Sequence, residues 1–366
     1  MKILQISSAK SFGGGEKHLV ELSKGLIQKG HDVFLAVRPN LEWKEKISFS
    51  DGEKIFHLPL RNSLDVISAG KLAKIINENN IEIVHAHLAR DYFVAGLAAR
   101  FAPRAKFVLT RHMLFPMNSI HKLALSNLSK AIAVSSAVEN ELEKIIPREK
   151  ITKIYNGIDI SHFRDANHDR LRREFRFEND IPFDAPFIGI IGELRALKGQ
   201  RDFILAAQVI AQKFPAARFA IIGKENSFKQ DFRRELRRMV KVFNLEDRFL
   251  WLDWVEDTAI ILHALDVFVS ASHSESFGLA IVEAMASGTA IVSTETEGAK
   301  EVLGKDKLVP IENPKLLADK ICGFLESPEK SAAFGKDAKQ RAEKLFGLKR
   351  MISETENVYL EVNKKA

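Results

Sequence analysis

Short apolar strands alternate with amphipathic helices along this chain, and the alternation runs through twice. In the first run, residues 2–7, 32–37, 81–85, 105–110, 131–134 and 152–155 are rich in β-branched side chains and read as strands. Helical periodicity fills 16–29, 64–79, 91–101 and 136–145 between them. Strands separated by helices need crossover connections, so the pattern predicts an α/β fold with a parallel sheet covered on both faces. The pattern then restarts, with strands at 187–192, 218–223, 249–251, 267–270, 290–293 and 308–310. The helices of this second run fall at 200–213, 229–243, 279–287 and 314–325. The stretch 159–186 is polar, with His162, Asp165, Asn167, His168 and Asp169 near its start, which is the composition of a linker. Two doubly wound domains joined near residue 160 are therefore expected: 1–162, completed by about 346–366 of the charged, helical tail that follows Pro328, and 163–345. In such sheets ligands bind beyond the carboxyl ends of the strands, and two such ends facing each other make a deep cleft.

Composition narrows the setting. Hydrophobic residues are 46% of the 366, enough for two cores and too many for a disordered chain. The one cysteine, Cys322, lies in an apolar run and reads as a buried core thiol, which suits a reducing compartment. The apolar run after Met1 is too short for a signal peptide, and no stretch reaches the ~18 apolar residues of a membrane-spanning helix. A cytoplasmic protein is expected, soluble or bound peripherally to the inner face of the membrane. Residues 1–160 carry 23 Lys+Arg against 16 Asp+Glu, which is the whole of the net charge of +7. Such a face attracts anionic lipid, nucleic acid or a phosphorylated acceptor, or is simply solvated.

The segment most informative about chemistry runs from Ser274 to Gly288 and follows the strand 267–270. It opens a helix near Gly278, and the free N–H groups and positive dipole of a helix start suit a diphosphate. Gly278 has no Cβ, so the backbone can approach a ligand closely. Glu275 in the loop and Glu283 in the helix are separated by seven residues. A carboxylate can accept hydrogen bonds from two vicinal hydroxyls, which fits Glu275 to a sugar and Glu283 to a ribose. Taken singly, Glu275 also reads as a helix cap and Glu283 as an exposed helix residue.

Together, Glu275, Phe277, Gly278, Glu283 and Ala284 resemble the signature of the family-four retaining glycosyltransferases, which include sucrose synthase-like and mycobacterial mannosyltransferase-like enzymes. The resemblance covers nearly the whole chain. It takes in the glycine loop near the N-terminus, Asn156-Gly157-Ile158-Asp159 at the domain junction, Lys198-Gly199, and the strand ending at Gly223. It implies the GT-B fold, two Rossmann-like domains facing across a cleft. It also implies a nucleoside diphosphate sugar as co-substrate, a glycan or glycolipid acceptor, no nucleic-acid partner, and transfer without a bound metal.

Residue by residue, the resemblance gives Lys198 the donor diphosphate and the leaving group. Many relatives carry Arg after the glycine that ends the preceding strand. Here Glu193 follows Gly192, and Arg195 is assigned the role, with a plain surface arginine as the alternative. The loop Phe12-Gly13-Gly14-Gly15 departs from Gly-x-Gly-x-x-Gly, because the sixth position from Gly13 is His18, so a nicotinamide site is poorly supported. The resemblance places Gly14 and Gly15 near the donor phosphates and Gly13, Glu16, Lys17 and Arg111 on the acceptor side. Glu16 and Lys17 also read as solvated first-turn residues. His112, just past the strand 105–110, is expected to face the sugar. Leu279 opens the phosphate-binding helix, and the backbone around Trp254 is where relatives read the nucleobase. His85 and His87 lie two apart and point to one face; they could suggest a metal pair, but no partner set is apparent, so a structural or acceptor-side role is preferred. The chain has no Asp-x-Asp pair to hold a divalent metal on the diphosphate.

The expected reaction is transfer of a sugar to a hydroxyl with retention, in cell-envelope or lipopolysaccharide assembly at an anionic membrane surface. The alternatives are a sugar-nucleotide 2-epimerase of the same architecture and a non-catalytic nucleotide-sugar-binding homologue, the latter motivated by Glu193. The basic and apolar stretch Arg111–Met117, continuing through His121, Lys122, Leu123, Leu125 and Lys130, is the expected membrane contact; packing inside the first domain is the alternative.

Overall fold

A computed structural model describes residues 1–117, 122, 124–164, 168–253 and 255–364. It divides into two compact units, 1–157 with 348–366 and 158–347.

The first unit is built on strands β1 (Lys2–Ser7), β2 (Asp32–Val37), β3 (Ile55–His57), β4 (Ile83–Ala86), β5 (Lys106–Arg111), β6 (Leu128–Ala133) and β7 (Ile151–Lys153), in the order β3-β2-β1-β4-β5-β6-β7. All neighbours are parallel, with Leu4 of β1 level with Phe34 on one side and Val84 on the other. The central strands are covered on both faces and so read as continuous apolar runs rather than alternating ones. The order reverses between β1 and β4, and that switch point is where an open α/β sheet offers a crevice to ligands. The tail helix Leu348–Lys364 belongs to this unit. It packs on helix Gly14–Gln28, where a Cβ on Gly25 would stand 2.1 Å from Ile352 Cδ1, so a larger residue there would have to displace the Ile352 side chain. Tyr359 of the tail helix is fully buried.

The second unit carries β8 (Phe187–Ile191), β9 (Arg218–Ile222), β10 (Phe249–Leu252), β11 (Val267–Ser270), β12 (Ala290–Thr294) and β13 (Leu308–Val309), in the order β10-β9-β8-β11-β12-β13. These pairings are also parallel, and the switch point falls between β8 and β11. The return of the chain lies beside its exit: Ile158 N–H donates to Phe346 O at 2.9 Å, and Ile158 bridges Gly347.

Some elements depart from the sequence expectations, among them the unanticipated short helices Thr258–Ala264 and Glu297–Leu303. The edge strand β3 was not anticipated; at three residues it is too short to show a period. More telling, the polar stretch taken for linker contains the helix His168–Glu178. Its anchor is a guanidinium rather than an apolar stripe. Arg176 is 1% exposed and donates to the carbonyls of Ala264, Pro182, Phe183 and Ala185 and to Asp266. A count of apolar positions cannot see such a contact. Among the described residues, no helix is long and apolar enough to cross a membrane.

Candidate active site

In the second unit the loops after β8 and β11 meet. Gly192 follows β8, and its positive φ is matched by that of Gly223 after β9; a Cβ on Gly223 would lie 1.8 Å from Gly192 O, so glycine at 223 lets the two strand ends approach this closely. The loop then forms the turn Ala196–Lys198 and enters helix Gln200–Lys213 through Gly199, at φ +69°. A Cβ there would meet Ala271 O at 1.8 Å, so Gly199 lets the turn sit against the end of β11. His273 N–H donates to Leu197 O at 2.8 Å, and the His273 ring meets Asp202 at 2.6 Å. These backbone contacts bring Lys198 Nζ to 2.6 Å from Glu275 Oε2, with Ser272 Oγ 3.4 Å from the same oxygen.

Gly278, at φ +95°, caps helix Leu279–Ser287. The first intrahelical donors to the Gly278 carbonyl are Ile281 and Val282, so the amides of Leu279 and Ala280 stand at the helix start, beyond the reach of its own carbonyls. The approach loop is clamped from behind: Gly298 N–H donates to Glu275 O at 2.9 Å, and a Cβ on Gly298 would strike the Phe277 backbone at 2.6 Å. Glu283 is buried, against the exposed alternative, and accepts from Thr258 Oγ1 at 2.9 Å. The Phe277 ring is buried edge-on against Phe346, so a ligand contact at this residue falls to its backbone. Arg195 is half-exposed and lies 3.4 Å from Glu193, which also accepts from Asn226. The charge expected to take the place of the missing arginine is thus paired with the acid that displaced it. Trp254 lies outside the described residues.

In the first unit the loop after β1 leads through Gly13, the cap of helix Gly14–Gln28, with ordinary extended dihedrals. Glu16 is 7% exposed, so it is not a solvated first-turn residue. Burial raises its pKa, opposed by the backbone N–H groups of Glu16 itself and Gly13. Lys17 is partly exposed, and its N–H donates to Gly13 O. Asp91, which sequence reasoning passed over, is buried and accepts from Ser8 N–H at 2.9 Å, fixing the start of the loop; burial raises its pKa as well. Gly15 faces His112, whose Cδ2 would lie 3.8 Å from a Cβ on that glycine.

His112 does not stand alone. His18 from the helix and His87 from the end of β4 join it, with ring centroids 4.7 Å (His18–His112), 5.6 Å (His18–His87) and 5.8 Å (His87–His112) apart. The partner set that the sequence did not show for His87 is supplied by two other elements. His85 instead bonds at both nitrogens, to Tyr359 Oη at 2.6 Å and Thr110 Oγ1 at 2.8 Å. His18 could have been noticed: it shares a helix face with Leu19, Leu22 and Leu26, where a polar residue is out of place. Arg111 is corrected in turn. It is buried and donates back to the Phe115 carbonyl, so it props the loop after β5 and is not offered to an acceptor. Lys130 and Leu125 are also turned inward; Lys130 donates to Glu149 O at 3.1 Å and pairs with Glu361 at 3.3 Å. Met113, Phe115, Pro116 and Lys122 are the exposed members of the expected membrane stretch among the described residues, while His121 and Leu123 lie outside them.

Comparison with known proteins finds matches for both halves of the chain. The Glycosyltransferase Family 4 model matches residues 12–162 and the Glycosyl transferases group 1 model matches 172–341. N-acetyl-alpha-D-glucosaminyl L-malate synthase of Bacillus anthracis is 24% identical, over 98% of this chain and 96% of that protein. Phosphatidyl-myo-inositol mannosyltransferase of Mycolicibacterium smegmatis is 26% identical, over 90% and 85%. Among solved structures, a glycosyltransferase from Rickettsia africae superposes with a TM-score of 0.87 at 22% identity, covering 100% of this chain and 99% of its own. Anabaena HepE, in complex with UDP and glucose, superposes with a TM-score of 0.84 at 23% identity, covering 98% of each. With its two halves matched in order and the two Rossmann-like sheets in place, the chain belongs to the family 4, group 1 glycosyltransferases and has the GT-B fold.

Proposed function

We propose that the protein transfers a sugar from a nucleoside diphosphate sugar to a hydroxyl of a glycan or glycolipid acceptor, with retention at the anomeric carbon and without a bound metal, in cell-envelope or lipopolysaccharide assembly. The observation that carries this reading is the ion pair between Lys198 and Glu275 beside the start of helix Leu279–Ser287. A cation and a helix N-terminus together favour a diphosphate, and the carboxylate next to them can bind sugar hydroxyls. The complex of Anabaena HepE with UDP and glucose supports the same class of donor. In this reaction Lys198 and the Leu279 and Ala280 amides stabilise the departing diphosphate. Glu275 orients the transferred sugar, Glu283 takes the ribose, and His112 contacts a sugar hydroxyl. No side chain is assigned a covalent step; the departing phosphate takes the acceptor proton.

The two carboxylates should separate kinetically. Glu275→Gln lowers kcat by at least about tenfold with nucleotide affinity nearly unchanged, whereas Glu283→Gln mainly weakens nucleotide binding. Steady-state kinetics with nucleotide titrations decide it, and the reverse pattern would overturn the assignment. Run with a strong chelator, the same assay keeps its rate; a loss restored by a divalent cation would remove the metal-free mechanism.

A membrane-bound acceptor is part of this proposal. Its support is the excess positive charge of residues 1–160 and the apolar side chains of Met113 and Phe115, 42% and 54% exposed, near the exposed Lys122 in the sequence. Apolar tips can enter the headgroup boundary while lysine holds anionic lipid, at about 1 kcal/mol per charge. In vesicle co-sedimentation, binding should require anionic lipid, weaken as salt rises, and fall at least about fivefold with Lys122→Glu. Equal partitioning to neutral and anionic vesicles would exclude it. Lys130→Glu is not a useful test, because it breaks the pair with Glu361 inside the domain.

A further inference from the structure

The three imidazoles at the switch point of the first unit come from three separate elements: helix Gly14–Gln28 (His18), the end of β4 (His87) and the end of β5 (His112). Each offers a ring nitrogen, and the three nitrogens lie within 4.8 Å of one another. His18 and His87 are buried and His112 is partly so. Among the described residues, neither ring nitrogen of His18 makes a hydrogen bond of ordinary geometry, and nor does Nδ1 of His87. Buried polar atoms left in that state are costly and call for an explanation.

The surrounding network sets the tautomer of His87. Gln5 donates its side-chain N–H to Tyr359 Oη at 3.3 Å, and His85 bonds the same hydroxyl through Nδ1 and Thr110 Oγ1 through Nε2. Gln5 Oε1 then accepts from His87 Nε2–H at 2.8 Å. His87 is thereby held by a second residue with the lone pair of Nδ1 unused, the arrangement by which proteins orient a metal-binding imidazole.

We propose that His18, His87 and His112 form a binding site for a divalent cation of the imidazole-preferring class, Zn²⁺ above all, with a fourth position open. Three nitrogens without a carboxylate suit Zn²⁺, Co²⁺, Ni²⁺ or Cu²⁺ and do not suit Mg²⁺ or Ca²⁺. Tetrahedral zinc at its usual bond length spaces nitrogens about 3.3 Å apart, so ring movements of about an ångström close the site. This cation would take no part in the diphosphate chemistry proposed above. It would engage His112 and so compete with the sugar for that residue.

The test uses the full chain, stripped of metal and without any sugar nucleotide, so its outcome does not depend on the transferase reading. Titrated with Co²⁺, the protein should bind one ion with the intense visible bands of a tetrahedral site, and Zn²⁺ should displace it. His18→Gln and His87→Gln, with folding checked by circular dichroism, should each weaken binding at least about 100-fold; His57→Gln, on the exposed edge strand β3, should not. X-ray absorption of the Zn²⁺-loaded wild-type protein should show three imidazole nitrogens at about 2.0 Å, and this needs no variant to fold. No saturable binding, unchanged affinity in both cluster variants, or loss of binding in the His57 variant would overturn the proposal.

Discussion

Lys198→Ala is expected to lower kcat by about 10²–10³-fold, equivalent to about 2.7–4 kcal/mol of transition-state stabilisation, while the protein remains folded. In the proposed reaction, negative charge builds on the diphosphate as the glycosidic bond breaks, and a cation already in place needs no reorganisation to meet it. Lys198 is so placed. The turn that carries it is closed by Lys198 N–H to Arg195 O at 2.8 Å and Gly199 N–H to Ala196 O at 3.1 Å, and it is fastened to the β11 loop by the His273 N–H. None of these bonds uses the lysine amine, so truncation leaves the turn standing. The ion pair with Glu275 is partly open to solvent, and its loss should change stability by less than about 1 kcal/mol. Arg195 offers poor compensation, since its guanidinium is paired with Glu193. Single-turnover rates beside a thermal melt make the comparison. Near-normal turnover would take Lys198 out of the phosphate role, and a collapsed melt would show that the amine is needed by the fold.

The second large effect concerns stability. Arg176→Met should destabilise the second unit by about 3 kcal/mol, the lower part of the range for removing one partner of a buried charged pair. Arg176 gathers the carbonyl of Ala264 through both Nε and Nη2, and those of Pro182, Phe183 and Ala185 through Nη1, at 2.8–3.3 Å. Methionine fills much of the volume but donates to none of them. Asp266 is not abandoned, because Arg172 still reaches it at 2.7 Å and Phe187 N–H donates to it at 2.7 Å, which keeps the cost from the upper end. The midpoint of urea unfolding should fall by about 1 M or more, with the slope unchanged. A shift under about 0.3 M would mean that water replaces the guanidinium cheaply and that the helix His168–Glu178 is an incidental attachment.

The comparison of these two residues shows where sequence reasoning reaches and where it stops. The position of Lys198 could be read because it is local: it lies beside a glycine at positive φ, at the start of a helix, after an apolar strand. The same is true of Gly278 and the Glu275–Glu283 spacing, and of the strands at the centre of both sheets, whose apolar runs coincide with β1, β8 and β11. Periods of two and 3.6 residues and the chemistry of helix ends are carried by neighbours in the chain, so a single sequence displays them. Arg176 could not be found, because its partners lie at 182–185 and 264–266 and, apart from the Asp266 carboxylate, are backbone carbonyls, which have no identity in a sequence.

Direction was equally hidden. The sequence alone determined the two α/β halves, the glycine-bearing strand ends and the loop with its two carboxylates. Only the tertiary structure decided that Phe277 turns into the core, that Arg111 and Lys130 point inward, and that Glu16 and Glu283 are buried. It also decided that His18, His87 and His112 meet. Their meeting depends on the order β1-β4-β5, which sets the ends of β4 and β5 side by side, with the helix that follows β1 packed close by. The sequence carries strand composition but not strand order, because parallel neighbours are chosen by the packing of whole layers rather than by residues adjacent in the chain.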